Sequence, residues 1–537
     1  MFRKLAALVL LLGIPALAAV RLAGAPSSLA GRPPKALILL DTSDVPQMRR
    51  ALEAVRAHGG KVVHLYPPHV AVAYLPAEAE AALAGAPGIV GVRRGRVSLD
   101  EVAGYGPAAR VAAEAWNASL EPQATIAPRP GERPPQAPPN DVRVAPKASA
   151  PPGTAPAAAA PGYYDTSEYM IGDVAVGIIL PESSGAAEDW DYGPAGRRQL
   201  VVSEIQAGLD WWAANEPGAE LTFVYDVHYD VPTAHEPIAL SSQDEGVWIG
   251  EAMSGLGYGG AASYFTKVYS YLNDLRARYH TDWAFAIFVA DSYQDDGYFA
   301  DGTFAYGYLG GPFLVMTYDN DNWGIANMDT ITAHETGHIF LALDEYAGAG
   351  AACTDYSGYL WVPNQNSLYP APSSCGLNQD CIMRSAHALP APVCPYTRGQ
   401  VGWRDSDGDG LLDPVDTTVL TLQSRPPEIT TGAAGYSGTV QDVPWDSPQY
   451  PDVSINRVTD VQYQIDGGAW QRVPAADGAY DETLEEFRFT TPLLGQGSHT
   501  VNIRALDRWG RVSAMTTDTF AVASEVYRTF LPFVARG

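Results

Sequence analysis

The stretch Ile331-Thr332-Ala333-His334-Glu335-Thr336-Gly337-His338-Ile339-Phe340-Leu341-Ala342-Leu343-Asp344-Glu345-Tyr346 decides how the rest of the chain is read. Histidines at i and i+4 of a helix rise about 6 Å apart on one face, so both imidazoles can reach one metal ion. Zinc suits that pair, and Glu335 between them sits where it can take a proton from water that the metal acidifies. The spacing points to a zinc-dependent hydrolase with His334 and His338 as ligands and Glu335 as general base. A catalytic zinc needs a third protein ligand. Asp344, Glu345 or an acidic residue from a separate helix could supply it, but a helix continuing straight on would carry Asp344 about 15 Å along the axis from His334. The chain must therefore turn near Ala342, and Glu345 is the ligand if the turn falls one residue later.

His334-Glu335-Thr336-Gly337-His338 through Asp344-Glu345-Tyr346 resembles the metzincin-type zinc proteases, and among them the secreted bacterial relatives that end this helix in Asp-Glu-Tyr, such as the IgA-degrading peptidase family. The resemblance covers the catalytic helix and its sequel, about 70 residues. It implies Asp344 as third zinc ligand and a zincin (metzincin-like) fold. It also implies that Cys381-Ile382-Met383-Arg384 is the Met-turn, with Met383 an apolar floor beneath the metal and not a ligand. One position departs from the pattern: the family carries glycine seven residues after the first histidine, where this chain has Leu341. His387, further on, is either a surface residue or an aid to the oxyanion.

Around this helix, residues 163–404 alternate strand and helix signals. Asp173–Leu180, Leu221–Tyr229, Trp283–Ala290 and Phe313–Tyr318 read as strands, and Arg197–Asn215, Glu245–Leu256, Tyr264–Tyr279 and Met328–Leu343 as helices. The expectation is an α/β catalytic domain with a mostly buried sheet. Residues 35–99 run strand, helix, strand, strand, helix, strand, the ferredoxin-like α+β order. This module resembles the inhibitory pro-domains of secreted subtilases. Its His58, His64 and His69 share no helical face and are expected to be exposed. Residues 120–162, with about a dozen prolines among Ala, Gly and Ser, form an extended linker in which a processing protease would cut. From 426 to 523, short alternating segments between turns predict an all-β, immunoglobulin-like sandwich, either a spacer or a module for a surface glycan or protein ligand.

Residues 1–25, with Arg3 and Lys4 before an apolar run and small residues at Ala23-Gly24-Ala25, read as a secretory signal peptide. Secretion, with no membrane span in the mature chain, makes Cys353, Cys375, Cys381 and Cys394 disulfide candidates. Three pairings are open, and the sequential one is favoured. In the loop 405–416, Asp405, Asp407, Asp409, Asp413 and Asp416 fall at positions 1, 3, 5, 9 and 12, with glycine at 6, the spacing of a structural calcium site.

The 537 residues hold 34 Lys+Arg against 61 Asp+Glu, a net charge of −27, which excludes a nucleic-acid binder. Together these features predict a secreted zinc endopeptidase acting on protein or peptide substrates. Alternatives are an idle zincin scaffold that binds surfaces and a zinc amidase acting on cell-wall substrates.

Overall fold

In the computed structural model, which describes residues 32–121, 143–146, 160–184, 189–260, 263–370, 375–384 and 388–524, the first apolar run forms β1 (Lys35–Leu40). Helix α1 (Val45–Ala57) follows, opened by the Asp44 carboxylate, which accepts from Gln47 N at 2.8 Å. Its buried Val45, Met48, Leu52 and Val55 recur every three to four residues and face the sheet. Then come β2 (Lys61–Tyr66), β3 (Val70–Tyr74), α2 (Ala79–Leu83) and β4 (Ile89–Arg93). The strands lie in the order β4-β1-β3-β2, every pair antiparallel, which is the arrangement expected of the βαββαβ pattern. The module does not stop at residue 99. After the short α3 (Leu99–Val102), α4 (Pro107–Ser119) buries Ala109, Ala112, Ala113 and Trp116 against α5 (Arg197–Asn215), so its alanines build an inter-helical seam.

Nor is the module a separate body. Strand β2 pairs in parallel with β6 (Thr222–Thr233), His64 opposite Phe223 and Leu65 opposite Val224. The central α/β region adds β5 (Asp173–Ser183), β7 (Trp283–Ala290), β8 (Ala305–Gly307) and β9 (Phe313–Thr317), with helices α6 (Glu245–Gly255), α7 (Tyr264–Tyr279) and α8 (Met328–Ile339). One nine-stranded sheet results, in the order β4-β1-β3-β2-β6-β5-β7-β9-β8. The strands from β6 to β9 run parallel, and β8 is antiparallel to β9 at the edge. The division into residues 35–99 and 163–404 is thereby corrected. Val62 to Tyr66 of β2 are all buried, and pairing supplies partners for backbone groups that would otherwise be sealed from water.

His64, expected at the surface, is 1% exposed at this joint. Its Nδ1 lies 2.8 Å from the Tyr225 hydroxyl and its Nε2 3.0 Å from Asp210 Oδ1. Burial, reinforced by the nearby Lys35 ammonium, holds it neutral. Lys35 itself reaches Asp210 of α5. Cutting the chain between residues 122 and 142 is therefore expected to leave two fragments that co-elute on native size exclusion. Separation without denaturant would show that the shared sheet does not hold them together.

Two small strands, β10 (Tyr356–Ser357) and β11 (Val362–Pro363), and α9 (Pro395–Gln400) pack under α8. Beyond Asp416 the chain forms a β domain of two sheets. One comprises β12 (Thr418–Ser424), β14 (Gly435–Asp442) and β17 (Leu484–Thr490), with β13 (Ile429–Thr430) lying between β12 and β14 in sequence. The other orders β13, β19 (Thr516–Val522), β18 (Gly497–Asp507), β15 (Val458–Ile465) and β16 (Gln471–Arg472). Alternating residues of both sheets, among them Tyr436, Val440, Val461, Phe487, Val501 and Ile503, enclose its core.

The β domain docks on the α/β region through buried polar contacts. The Tyr359 hydroxyl donates to Trp445 O at 2.9 Å, and Arg508 reaches Asp282 at 2.5 Å and Asp173 at 3.5 Å. Asp173 also takes Arg49 of α1 at 2.6 Å, so one carboxylate ties all three regions. Burial alone would raise its pKa, but the two guanidinium groups outweigh it and hold the carboxyl below its usual range. Among the described residues no helix is long and apolar enough to cross a membrane. The signal-peptide assignment, most of the linker and His387 lie outside the described residues.

Candidate metal centre

Helix α8 lies against the sheet and against α5, with Thr330 to Ile339 all buried. Trp212 of α5 donates its indole N–H to Ala333 O at 2.8 Å, which sets the depth of the helix. Two glycines let the neighbours approach. A Cβ at Gly337 would lie 2.6 Å from Met383 Sδ, so the fully buried Met383 sits directly beneath the helix as an apolar floor. A Cβ at Gly307 of β8 would lie 2.9 Å from Glu335 O and 3.2 Å from Glu335 Oε2, which brings the edge strand up to the carboxylate.

The expected helix through Leu343 ends at Ile339, and the manner of its ending forms the site. Leu341 N donates to His338 O and Ala342 N to Gly337 O, both at 2.9 Å, with Leu341 at φ +71°. This is the Schellman ending, with leucine where glycine is usual. A left-handed leucine costs about 1–2 kcal/mol. Burial of its side chain, 2% exposed and packed against Gly310, offsets that cost. Groups distant in sequence satisfy the turn: Ser357 Oγ donates to Leu341 O at 2.6 Å, and Leu343 N donates to Gln400 Oε1 at 2.9 Å.

The turn folds Asp344 back over the histidines. Its Oδ1 lies 3.0 Å from His334 Nε2 and 3.3 Å from His338 Nε2. The other ring nitrogens are held from behind, His334 Nδ1 by Ile382 O at 3.0 Å and His338 Nδ1 by Ala342 O at 2.8 Å. Carbonyls accept there, so Nδ1 carries the proton and Nε2 presents its lone pair inward. A tetrahedron with zinc–ligand bonds of about 2.0–2.1 Å has edges of roughly 3.3 Å, close to the two imidazole–carboxylate separations. His334 Nε2 and Asp344 Oδ1 are sealed from water, and neither makes a hydrogen bond of good geometry. A divalent cation would satisfy both, so these residues fit zinc.

Without a metal, burial alone would lower the pKa of His338, but the Asp344 carboxylate overrides it and raises it to about 9. His334 is raised for the same reason, and Asp344 is held well below the carboxylate range by the two rings. Protons thus stand in for the cation. Metal uptake must displace them, so apparent zinc affinity is expected to fall about tenfold per pH unit for each proton released as the pH drops below about 9. Equilibrium dialysis of the stripped protein against buffered zinc across pH checks this; a flat profile would contradict it.

Glu345, the alternative third ligand, points elsewhere. Its carboxylate accepts from Asn366 Nδ2 at 2.6 Å, Cys394 Sγ at 2.9 Å and Thr397 Oγ1 at 3.1 Å. Burial pushes its pKa up. Glu345, Cys381 and Cys394 form a second buried group of metal-capable atoms. Of the disulfide candidates Cys353, Cys375, Cys381 and Cys394, the last two lie side by side in this group, with Cys394 N 3.3 Å from Cys381 Sγ.

In the acidic loop, Asp405, Asp407 and Asp409 bring oxygens within 4.8 Å of one another. Asp416 lies close enough that, after burial, Asp409 and Asp407 help to raise its pKa. Asp413 does not join them. Its oxygens accept from Arg404 Nε at 2.8 Å and Ser406 N at 2.7 Å.

Sequence patterns gave no warning of Gly307, of the short edge strand β8, or of Ser357 and Gln400 as supports of the turn. No periodicity marks a three-residue strand or a lone side-chain acceptor.

No family model matches the chain, and no curated protein matches it. Among solved structures it is similar over short stretches to the sulfane dehydrogenase SoxCD from Paracoccus pantotrophus, at 24% identity over 18% of this chain and 22% of that one, TM-score 0.13. It is also similar to fibronectin(III)-like modules of Clostridium thermocellum CbhA, at 16% identity over 19% of this chain and 96% of that one, TM-score 0.13. A PKD domain of an M14-like peptidase from a Thermoplasmatales archaeon is 18% identical over 20% of this chain and 92% of that one, TM-score 0.13. The chain spans about a fifth of the SoxCD chain, and likenesses of this extent identify neither family nor activity.

Proposed function

We propose that the protein is a secreted zinc-dependent endopeptidase of metzincin-like type. The observation that carries this reading is the convergence of His334 Nε2, His338 Nε2 and Asp344 Oδ1 in a buried cradle, with Glu335 on the same helix beside it. Bound there, zinc would polarise a peptide carbonyl and acidify water. The chain's own groups do the rest. Ile382 O and Ala342 O fix the imidazole tautomers, Met383 closes the floor, and the Glu335 carboxylate takes a proton from the attacking water and passes it to the leaving amine.

The β domain serves as an immunoglobulin-like spacer or surface-binding module. Calcium held by Asp405, Asp407 and Asp409 braces its junction with the α/β region, and a higher unfolding temperature with added calcium than with chelator checks that role. The function itself is tested by casein hydrolysis with the full chain. Cleavage abolished by a chelator and restored by zinc supports the endopeptidase. A zinc-loaded chain that cleaves no peptide but releases amide-linked cell-wall fragments would favour the amidase, and one inert on both would favour the idle scaffold.

A further inference from the structure

On the sheet face opposite α8, Glu245 is 2% exposed and is held by three phenols. Tyr264 donates to its Oε1 at 2.8 Å, Tyr308 donates to the same oxygen, and Tyr306 donates to Oε2. A carboxylate buried among aromatic rings calls for a cation. It receives one from Arg143, in the stretch around residues 143–146. Arg143 Nη1 reaches Glu245 Oε2 at 3.2 Å and Ser242 O at 3.0 Å, Nη2 donates to Ser242 Oγ at 2.6 Å, and the guanidinium lies 3.6 Å from the Tyr306 ring centroid. These contacts suit a flat, forked cation and not a point charge.

The segment reaches this cradle by augmenting the sheet. Arg143 bridges Tyr308 in parallel, and its carbonyl accepts from Leu309 N at 2.8 Å. Side chains alternate along β8, so Tyr306 and Tyr308 face the cradle while Gly307 between them faces Glu335. A peptide laid on this edge therefore passes beside the metal centre while one of its side chains enters the cradle. The three tyrosines that hold the carboxylate come from α7 and the β8 edge. Beside Arg143, Ala145 is buried, and Val144 is 73% exposed.

We propose that Ser242, Glu245, Tyr306 and Tyr308 form an arginine-recognition pocket for peptide substrates, which Arg143 fills in cis in the uncut chain. The proposal rests on the peptidase reading for the word substrate, but arginine recognition is separable from it. The test uses the full chain carrying Arg143→Gln, with acetyl-Val-Arg-Val-Ala-Pro-amide, the chain's own residues 142–146, and its lysine counterpart as probes in calorimetry. The arginine peptide is expected to bind the variant at least about tenfold more tightly than it binds the wild type, and about tenfold more tightly than the lysine peptide binds. Adding Glu245→Gln should abolish the difference.

The same variant should cleave arginine-containing peptides about tenfold faster than lysine-containing ones. A folded variant that hydrolyses casein yet treats the two peptides alike overturns the pocket and leaves the peptidase standing. Selective binding without casein hydrolysis upholds arginine recognition and removes the peptidase reading. Should Arg143→Gln fail to fold, Arg143→Lys, which keeps the charge and loses the fork, takes its place with the same readouts.

Discussion

Glu335→Ala is expected to lower casein hydrolysis by about 10²–10⁴-fold while leaving bound zinc at the wild-type level. The carboxylate is buried on α8, but the three converging donors are His334, His338 and Asp344, so its removal takes away the proton carrier and spares the metal cradle. Parallel assays of hydrolysis and metal content read the two effects separately. Loss of zinc together with activity would mean that Glu335 helps to hold the cradle, and full activity in the variant would remove it from the chemistry.

Asp344→Ala is expected to weaken zinc binding by more than about a hundredfold, because two neutral imidazoles alone do not make a zinc site. Glu345 cannot step in. Asn366, Thr397 and Cys394 engage its carboxylate, and its backbone N–H is bonded to Met383 O at 2.8 Å. Glu345→Gln should accordingly keep its zinc, and the paired measurement decides between the two acidic residues. The fold of the Asp344 variant should survive, since His338 owes its raised pKa to Asp344 and simply loses its proton when that charge goes. Zinc retained by Asp344→Ala and lost from Glu345→Gln would reverse the assignment.

Much of the architecture was open to pattern reading. Helices α5 and α7 and strand β7 occupy the expected spans, because each is long or uniformly buried and its apolar spacing is a local property. The order of the first four strands followed likewise from the alternation of short elements. The fusion of that module to the central sheet did not, because the β2 and β6 partners lie about 160 residues apart and either strand reads the same with or without a neighbour. His64 shows the consequence: a polar residue in an apolar strand has no sequence signature for burial, and Tyr225 and Asp210 supply its partners from the other side of that joint.

At the site, the sequence by itself determined the two imidazoles and the carboxylate between them, since helical spacing alone puts His334 and His338 on one face. Only the tertiary structure chose Asp344 over Glu345. That choice depends on a left-handed turn at Leu341, a conformation the residue does not favour. Ser357, Gln400 and the packing at Gly310 hold it there, and each is set by the folding of a different part of the chain.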